Sequence, residues 1–107
     1  MEFDLKNLFE TAQKVQSEMA RVKAELGNKT VEGEAGGGLV RCVANGNGEV
    51  VSLEIDPGAI NASEKKLLEE LIAGAVNLAL DRARELAQSE LSRATGGLPL
   101  PPGLIGG

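Results

Sequence analysis

Residues 33–57 read GEAGGGLVRCVANGNGEVVSLEIDP, in which apolar side chains alternate with polar ones between glycine-rich breaks. The alternation at 39–44 and again at 49–55 is typical of strands that bury one face. Between them, the Asn-Gly-Asn-Gly sequence at 45–48 favours a hairpin, because Asn and Gly accept the positive φ of tight turns. The segment therefore predicts two paired strands, the second of which ends at Asp-Pro-Gly.

A third strand is predicted just before this hairpin, at 29–35, where Val31 stands among threonine, glutamate and glycine. The three glycines at 36–38 then form a turn. A phosphate-binding loop needs a following helix and a Lys-Ser or Lys-Thr pair, whereas these glycines lead into Leu-Val-Arg of a strand. The glycines therefore indicate a structural turn within a three-stranded antiparallel meander, and Cys42 on its apolar face is interpreted as a core residue.

Two long helices flank the meander. Apolar residues separated by three and four positions predict a helix at 4–26, with Asp4 as its cap and Gly27-Asn28 at its end. A second apolar pattern predicts a helix at 62–94, capped by either Asn61 or Ser63. Its N-terminal half is expected to lie on the sheet. From Asp81 onward it is expected to project into solvent or meet a partner.

Composition excludes most enzyme chemistry. The chain has 107 residues, no histidine and one cysteine, so a Ser-His-Asp triad, a Cys-His pair and a zinc site with histidine are impossible. We expect no catalytic function, cofactor, metal or small-molecule substrate. The longest nearly apolar run, at 71–80, is about half of what a membrane span needs, and the N-terminus resembles no secretory signal. A cytoplasmic protein with no membrane partner is expected.

The predicted fold is α+β, an α-β-β-β-α domain at 1–95 followed by a Gly/Pro-rich tail at 96–107. At 1.5 Å per residue both helices are longer than the strands, so they must overhang the sheet. An overhanging apolar seam requires cover, and a second copy is the simplest source. The predicted interface of this homodimer consists of Leu5, Leu8, Ala12, Val15, Met19 and Val22.

Several segments together resemble the YbaB/EbfC family of nucleoid-associated proteins. They are TVEGEAGGGLVR at 30–41, VANGNGEVVSLEIDP at 43–57, LEELIAGAVNLAL at 68–80 and TGGLPLPPG at 95–103. The resemblance implies a small bacterial cytoplasmic dimer whose helices protrude from a joint sheet body like the arms of tweezers. It also implies binding of double-stranded DNA in the nucleoid, with little sequence preference, and an effect on nucleoid organisation or gene expression.

The net negative charge of the chain argues in part against the DNA binding that the resemblance implies. Eleven Lys and Arg face sixteen Asp and Glu, a net charge of −5, whereas DNA binding relies on cations that neutralise phosphates. The acids concentrate in the predicted sheet, and the helices are nearly neutral. The candidate phosphate contacts are Lys14, Arg21, Lys23, Lys29, Arg82, Arg84 and Arg93.

Two alternatives stay open at the level of sequence. The helical charges have the spacings of ordinary salt bridges, such as Glu10 with Lys14, and a protein-interaction adaptor with incidental or no DNA affinity would need no basic surface. The tail at 96–107 is either a mobile terminus or an extended segment whose leucines and isoleucine pack on a partner.

Overall fold

The computed structural model describes residues 4–94, and the tail lies outside the described residues. The elements are α1 (Leu5–Gly27), β1 (Thr30–Ala35), β2 (Val40–Asn45), β3 (Val50–Ile55) and α2 (Lys65–Ala94), with short 3-10 turns at Pro57–Ala59 and Ala62–Glu64. The predicted α+β fold class and the α-β-β-β-α order are confirmed.

The helix starts follow local capping chemistry. The Asp4 carboxylate accepts from the backbone amides of Lys6 and Asn7, which have no intrahelical partner. Asn61 accepts from the Ser63 amide, but this cap closes a 3-10 turn, and the regular helix begins only at Lys65. The predicted start of the second helix at 62 is therefore three residues early, because the tight turn precedes the α-helical hydrogen bonds.

The sheet is an antiparallel meander with β2 in the centre. Cys42 lies opposite Gly33 of β1 and Leu53 of β3, and the register between β2 and β3 shifts at Val43 and Ala44. The glycines at 36–38 all have positive φ, from 65° to 94°, a conformation that glycine adopts without a steric penalty. The glycine run forms the turn between β1 and β2.

The core lies between α2 and one face of β1 and β2. Its fully buried residues are Val40, Cys42, Ala44, Ala75, Ala79 and Ala83. Three alanines on one face of α2 let the helix approach the sheet closely, and Gly33 of β1 lies where a side chain would overlap the backbone of that helix. The interpretation of Cys42 as a core residue agrees with this packing, and burial raises the pKa of its thiol.

Both helices extend beyond the sheet, as predicted. α1 spans about 34 Å and α2 about 45 Å at 1.5 Å per residue, whereas the six-residue strands span only about 20 Å. The whole molecule is 73 Å long. From Asp81 onward, α2 was expected to project into solvent or meet a partner. This part of α2 packs instead against the C-terminal half of α1 in the same chain. No helix in the described part of the chain has the length and apolar content needed to cross a bilayer.

The close approach of α2 to β1 predicts opposite effects for two Gly→Ala substitutions. Gly33→Ala should lower the free energy of unfolding by about 3 kcal/mol, because the new methyl group overlaps the backbone of Ala75 and Ala79. Gly74→Ala should raise it by up to about 1 kcal/mol, since Gly74 lies within α2 and the added methyl group meets only ordinary contacts. Urea unfolding of both variants measures the difference, and equal effects would contradict the packing described.

Candidate nucleic-acid interface

The turn between β2 and β3 holds the C-terminal end of α1. The Gly46 amide donates to the Leu26 carbonyl at 2.9 Å, and the Asn47 side-chain amide donates to the Lys23 carbonyl at 3.1 Å. The Leu26 carbonyl is one of the last four in α1 and lacks an intrahelical partner. A side chain at Gly46 would press into Leu26, so glycine permits this contact. The hairpin turn therefore anchors a helix as well as joining two strands.

An apolar cluster joins the same end of α1 to the end of α2. Val22 and Leu26 of α1 are buried with Leu91 of α2. Partly buried Met19, Leu86, Ala87 and Ala94 surround them. The part of α1 before Met19 has no such cover, as Leu8 is 54% and Phe9 70% exposed. Residues 5–18 thus form a projecting segment, here called the α1 arm.

Glu90 links the two helices by charge at the edge of this cluster. Its side chain is only 10% exposed, and its carboxylate accepts from Lys29 at 2.9 Å and from Arg93 at 3.0 Å. The hydrogen bond from Lys29, with the charge of Arg93, lowers the pKa of Glu90 below its ordinary value. The ionised carboxylate therefore joins Lys29, the second residue after α1, to the last turns of α2.

The predicted phosphate contacts on α1 fall into two groups. Within residues 4–94, Lys14 and Lys23 form no ion pair. Arg21 lies between Glu18 and Glu25 and pairs with both carboxylates, and its hydrogen bond lowers the pKa of Glu18. Two lysines on α1 thus face solvent unneutralised, while the arginine between them is already neutralised.

The other predicted contacts are engaged within the fold. Arg82 donates to the Glu32 carbonyl of β1 at 2.7 Å, and Arg84 pairs with Asp81. Lys29 and Arg93 share the Glu90 carboxylate. The structure therefore does not bring these four residues together with Lys14 and Lys23 in one unpaired basic surface.

Sequence reasoning missed three residues that shape this interface. Lys6 lies on the α1 arm, and in the described part of the chain it too forms no ion pair. Because Lys6 lies on the same helix as Lys14, the sequence could have indicated it as a further phosphate contact. Asn47 and Glu90 hold the base of α1, but their partners are 24 and 61 residues away in sequence, so local spacing gave no indication of either role.

The predicted dimer interface divides along α1. Leu5, Leu8, Ala12 and Val15 are exposed on the arm, whereas Met19 is partly buried and Val22 is buried against α2 of the same chain. A second apolar surface lies at the edge strand and beside it. This β3 surface consists of Val50, Val51, Leu53, Ile60 and Leu67, which are 40–64% exposed.

The sheet face opposite α2 is acidic. Arg41 pairs there with Glu54 at 2.5 Å and with Glu32 at 3.6 Å. Glu34 and Asp56 lie with Arg41 around an open depression at one end of the sheet. Across residues 4–94, no group of three or more acidic or cysteine side chains is placed to hold a metal ion. This face suits a cationic partner and would repel phosphate.

Almost the whole chain matches one protein family. The sequence model of the YbaB/EbfC DNA-binding family matches residues 1–98. The chain belongs to this family. A nucleoid-associated protein of Thermoanaerobacter pseudethanolicus is 44% identical over 99 residues, which are 92% of this chain and 89% of that protein. A nucleoid-associated protein of Anaeromyxobacter dehalogenans is 44% identical over 98 residues, 92% of this chain and 95% of that protein.

A solved structure confirms the fold of this YbaB/EbfC chain. An uncharacterized protein of Helicobacter pylori superimposes with a TM-score of 0.78 and covers 89% of this chain and all of its own length. The two sequences are 21% identical. The likeness covers most of the chain, and it bears on the fold alone.

The ion pairs of Glu90 predict a pH-dependent stability. Glu90→Gln should lower the melting temperature at pH 7, because Lys29 loses its carboxylate partner. Since the folded-state pKa of Glu90 is depressed, its contribution is present above the unfolded value, about 4.3, and is lost as the pH falls through the lower folded value. The difference between the variant and the original chain should therefore vanish in acid.

Glu85→Gln is the matched control for this measurement. Glu85 is exposed on the same helix and forms none of the ion pairs in the described chain, and its substitution removes the same charge. Thermal unfolding of both variants from pH 7 to pH 3 should show a loss for Glu90→Gln alone. Equal melting temperatures at pH 7 would disprove the link.

Proposed function

We propose that this chain is a nucleoid-associated protein that binds duplex DNA as a homodimer, mainly through phosphate contacts and with little sequence preference. It would act at the nucleoid in the bacterial cytoplasm and affect nucleoid organisation or gene expression. Membership of a DNA-binding family and the names of the relatives support DNA as the partner. The observation that carries the phosphate mechanism is that Lys6, Lys14 and Lys23 of α1 form no ion pair within residues 4–94.

Charge is distributed unevenly along the fold. Residues 5–27 of α1 carry four basic and three acidic side chains, a net charge of +1, whereas residues 30–55 carry a net charge of −3. Nonspecific affinity for DNA comes from cations that displace counterions at phosphates. The α1 helix is thus the element that a negatively charged duplex approaches most readily, and the sheet is kept away from it.

We assign the principal phosphate contacts to Lys14 and Lys23, with Lys6 as a further contact near the end of the arm. The first two are nine residues apart, which places them on opposite sides of the helix at about 100° per residue. A helix lying in the major groove would present one lysine to each strand, since the groove is about as wide as a helix. Such contacts position the protein but read no bases.

The remaining predicted cations contribute less in this proposal. Arg21 and Arg84 are half or more exposed in ion pairs with exposed carboxylates, and such pairs are weak enough for a phosphate to replace the carboxylate. Lys29 and Arg93 instead hold the fold together through the buried Glu90, and Arg82 does so through the backbone of β1. Binding through these three would cost an internal contact.

The β3 surface supports a homodimer. β3 is an edge strand whose outer hydrogen-bonding groups are unpaired in the sheet, and α2 lies mainly over β1 and β2. The opposite edge differs, because Arg82 occupies the Glu32 carbonyl of β1. We therefore propose that the second copy covers the β3 surface, since exposed apolar edge strands are sites of pairing between chains. The exposed leucines of the α1 arm are the alternative interface.

The acidic outer face of the sheet favours a second candidate function. Three glutamates surround a single arginine there, and all of them are solvent-accessible. A basic protein partner would find complementary charge on this face, as an adaptor requires. An adaptor dimer with no affinity for DNA is the function that remains if duplex binding fails at every salt concentration.

Two double substitutions with the same net charge test the assigned contacts. Salt titration of duplex binding should give a slope of log affinity against log salt on the order of −2 to −4. Lys14→Gln with Lys23→Gln should make this slope shallower by about 2 for each protomer whose α1 contacts the duplex, since each lost phosphate contact removes about one unit. The control, Lys65→Gln with Lys66→Gln, lies at the first turn of α2 and should leave the slope unchanged. Equal changes in both variants would contradict contact by these lysines of α1.

Two single substitutions test the dimer surface. Leu53→Glu should weaken the dimer at least about thirtyfold, because a buried interface leucine is replaced by a charge. Leu8→Glu places the same charge on the α1 arm and should leave the dimer constant within about twofold. Mass measured by sedimentation over a dilution series distinguishes them. If Leu8→Glu produced a monomer and Leu53→Glu did not, the dimer interface would lie on α1 and not on the β3 surface.

A further inference from the structure

The α1 arm carries an apolar stripe that nothing in the described chain covers. Leu5, Leu8, Ala12 and Val15 follow the three- and four-residue spacing of one helix face, here called the arm stripe. Its large side chains are 54–61% exposed. The stripe continues into Met19, which is packed in the cluster at the base of the arm.

The end of α2 lies where this stripe loses its cover. Ala94, the last residue of α2, packs against the same cluster as Met19. Because residues 5–18 of α1 precede Met19 and span about 21 Å at 1.5 Å per residue, the arm projects past the end of α2. The chain therefore leaves α2 beside Met19, with the arm stripe ahead of it.

The sequence that follows Ala94 has the chemistry to cover such a stripe. Residues 95–107 read TGGLPLPPGLIGG and contain no charged side chain but four large apolar ones. Prolines at 99, 101 and 102 exclude a continued helix and favour an extended chain of about 3.1 Å per residue. An uncharged apolar segment matches an apolar stripe without neutralising the lysines beside it.

We propose that residues 96–100 extend along the α1 arm of the same chain and cover the arm stripe. The distances agree with this arrangement. Leu98 and Leu100 are four and six residues beyond Ala94, a reach of about 12 and 19 Å. Measured from Met19, Ala12 and Leu8 lie about 10 and 16 Å along the helix. The two leucines of the tail thus meet the middle and the outer part of the stripe.

In this arrangement the end of the tail reaches beyond the arm. Leu104 is ten residues past Ala94, at a reach of about 31 Å, whereas Leu5 lies only about 21 Å from Met19. Leu104 and Ile105 therefore have no part of the arm stripe opposite them. This difference supplies a control with the same chemistry in the same segment.

A tethered segment also has an advantage over a second copy as the occupant. Direct attachment to Ala94 gives the tail a local concentration in the millimolar range, whereas pairing of two arms depends on the protein concentration. Isolated helical ends fray because short helices are marginal in water, so cover on the stripe should stabilise the arm. Cover by the tail requires no DNA binding by the arm.

Hydrogen exchange of the full-length chain tests the proposal. In Leu98→Ser with Leu100→Ser, the amides of residues 9–16 should exchange about tenfold faster than in the original chain, because an uncovered helix opens more often. Leu104→Ser with Ile105→Ser should change them less than about twofold. The amides of β2 and the middle of α2 should be unchanged in both. Unchanged exchange in both variants, or equal acceleration in both, would overturn the proposal.

A spin label determines which chain supplies the tail. Cys42 is the sole cysteine of the chain and is buried, so Cys42→Ala with Gly97→Cys places one label beside Leu98. When one chain carries both the spin label and nitrogen-15, the NMR signals of the amides of residues 8–15 should broaden. In a second sample, spin-labelled chains without nitrogen-15 are mixed with nitrogen-15 chains without the label. The same amide signals should stay sharp in that mixture. Broadening in the mixture would show that the tail comes from a partner, and no broadening in either sample would show that the tail does not lie on the arm.

Discussion

The close packing of α2 on the sheet is the constraint on which the rest of the fold depends. Ala75, Ala79 and Ala83 are completely buried, and their small side chains let the helix pack closely on the sheet. The missing side chain at Gly33 permits the same approach over β1. This contact sets the direction in which α2 leaves the sheet. The position of its C-terminal turns, and therefore the position of α1, follows from that direction.

The second requirement is that α1 is fixed at one end only. The hairpin turn at Gly46 and Asn47, the cluster around Leu91 and the ion pairs of Glu90 all act on the last two turns of α1 or the residues just after it. In the described part of the chain, nothing covers the α1 arm of this 23-residue helix. The stability of the arm therefore depends on intrinsic helix propensity and on whatever segment covers the arm stripe. Two of the predicted phosphate contacts, Lys29 and Arg93, are used to form this base.

The order of elements could be read from the sequence because it rests on local chemistry. Alternation, the Asn-Gly turns and the Asp4 cap act over a few residues, so the strands and helices fell within a few residues of their predicted bounds. Long-range contacts could not be read in this way. The Asn-Gly-Asn-Gly segment predicted a hairpin, but its hydrogen bonds to Leu26 and Lys23 depend on where a distant helix ends.

The same limit applied to charge. Arg21 with Glu18 and Glu25 has helical spacing, so its neutralisation was foreseeable from sequence. By contrast, Arg82 and Arg93 align on one face of α2. In the fold, however, Arg82 donates to a carbonyl of β1 and Arg93 pairs with the buried carboxylate of Glu90. Alignment on a helix therefore identifies residues that can form one surface but cannot show which are already satisfied by the fold.

An acidic chain can still bind DNA where its charges are separated in space. Screening limits the influence of an exposed charge to about 8 Å at physiological salt. The α1 arm projects by more than that distance from the sheet, where Glu32, Glu34 and Glu54 lie. A phosphate at Lys14 therefore responds mainly to the arm, not to the net charge of −5. A long helix fixed at its base achieves this separation, and an uncharged tail beside it would preserve the local balance.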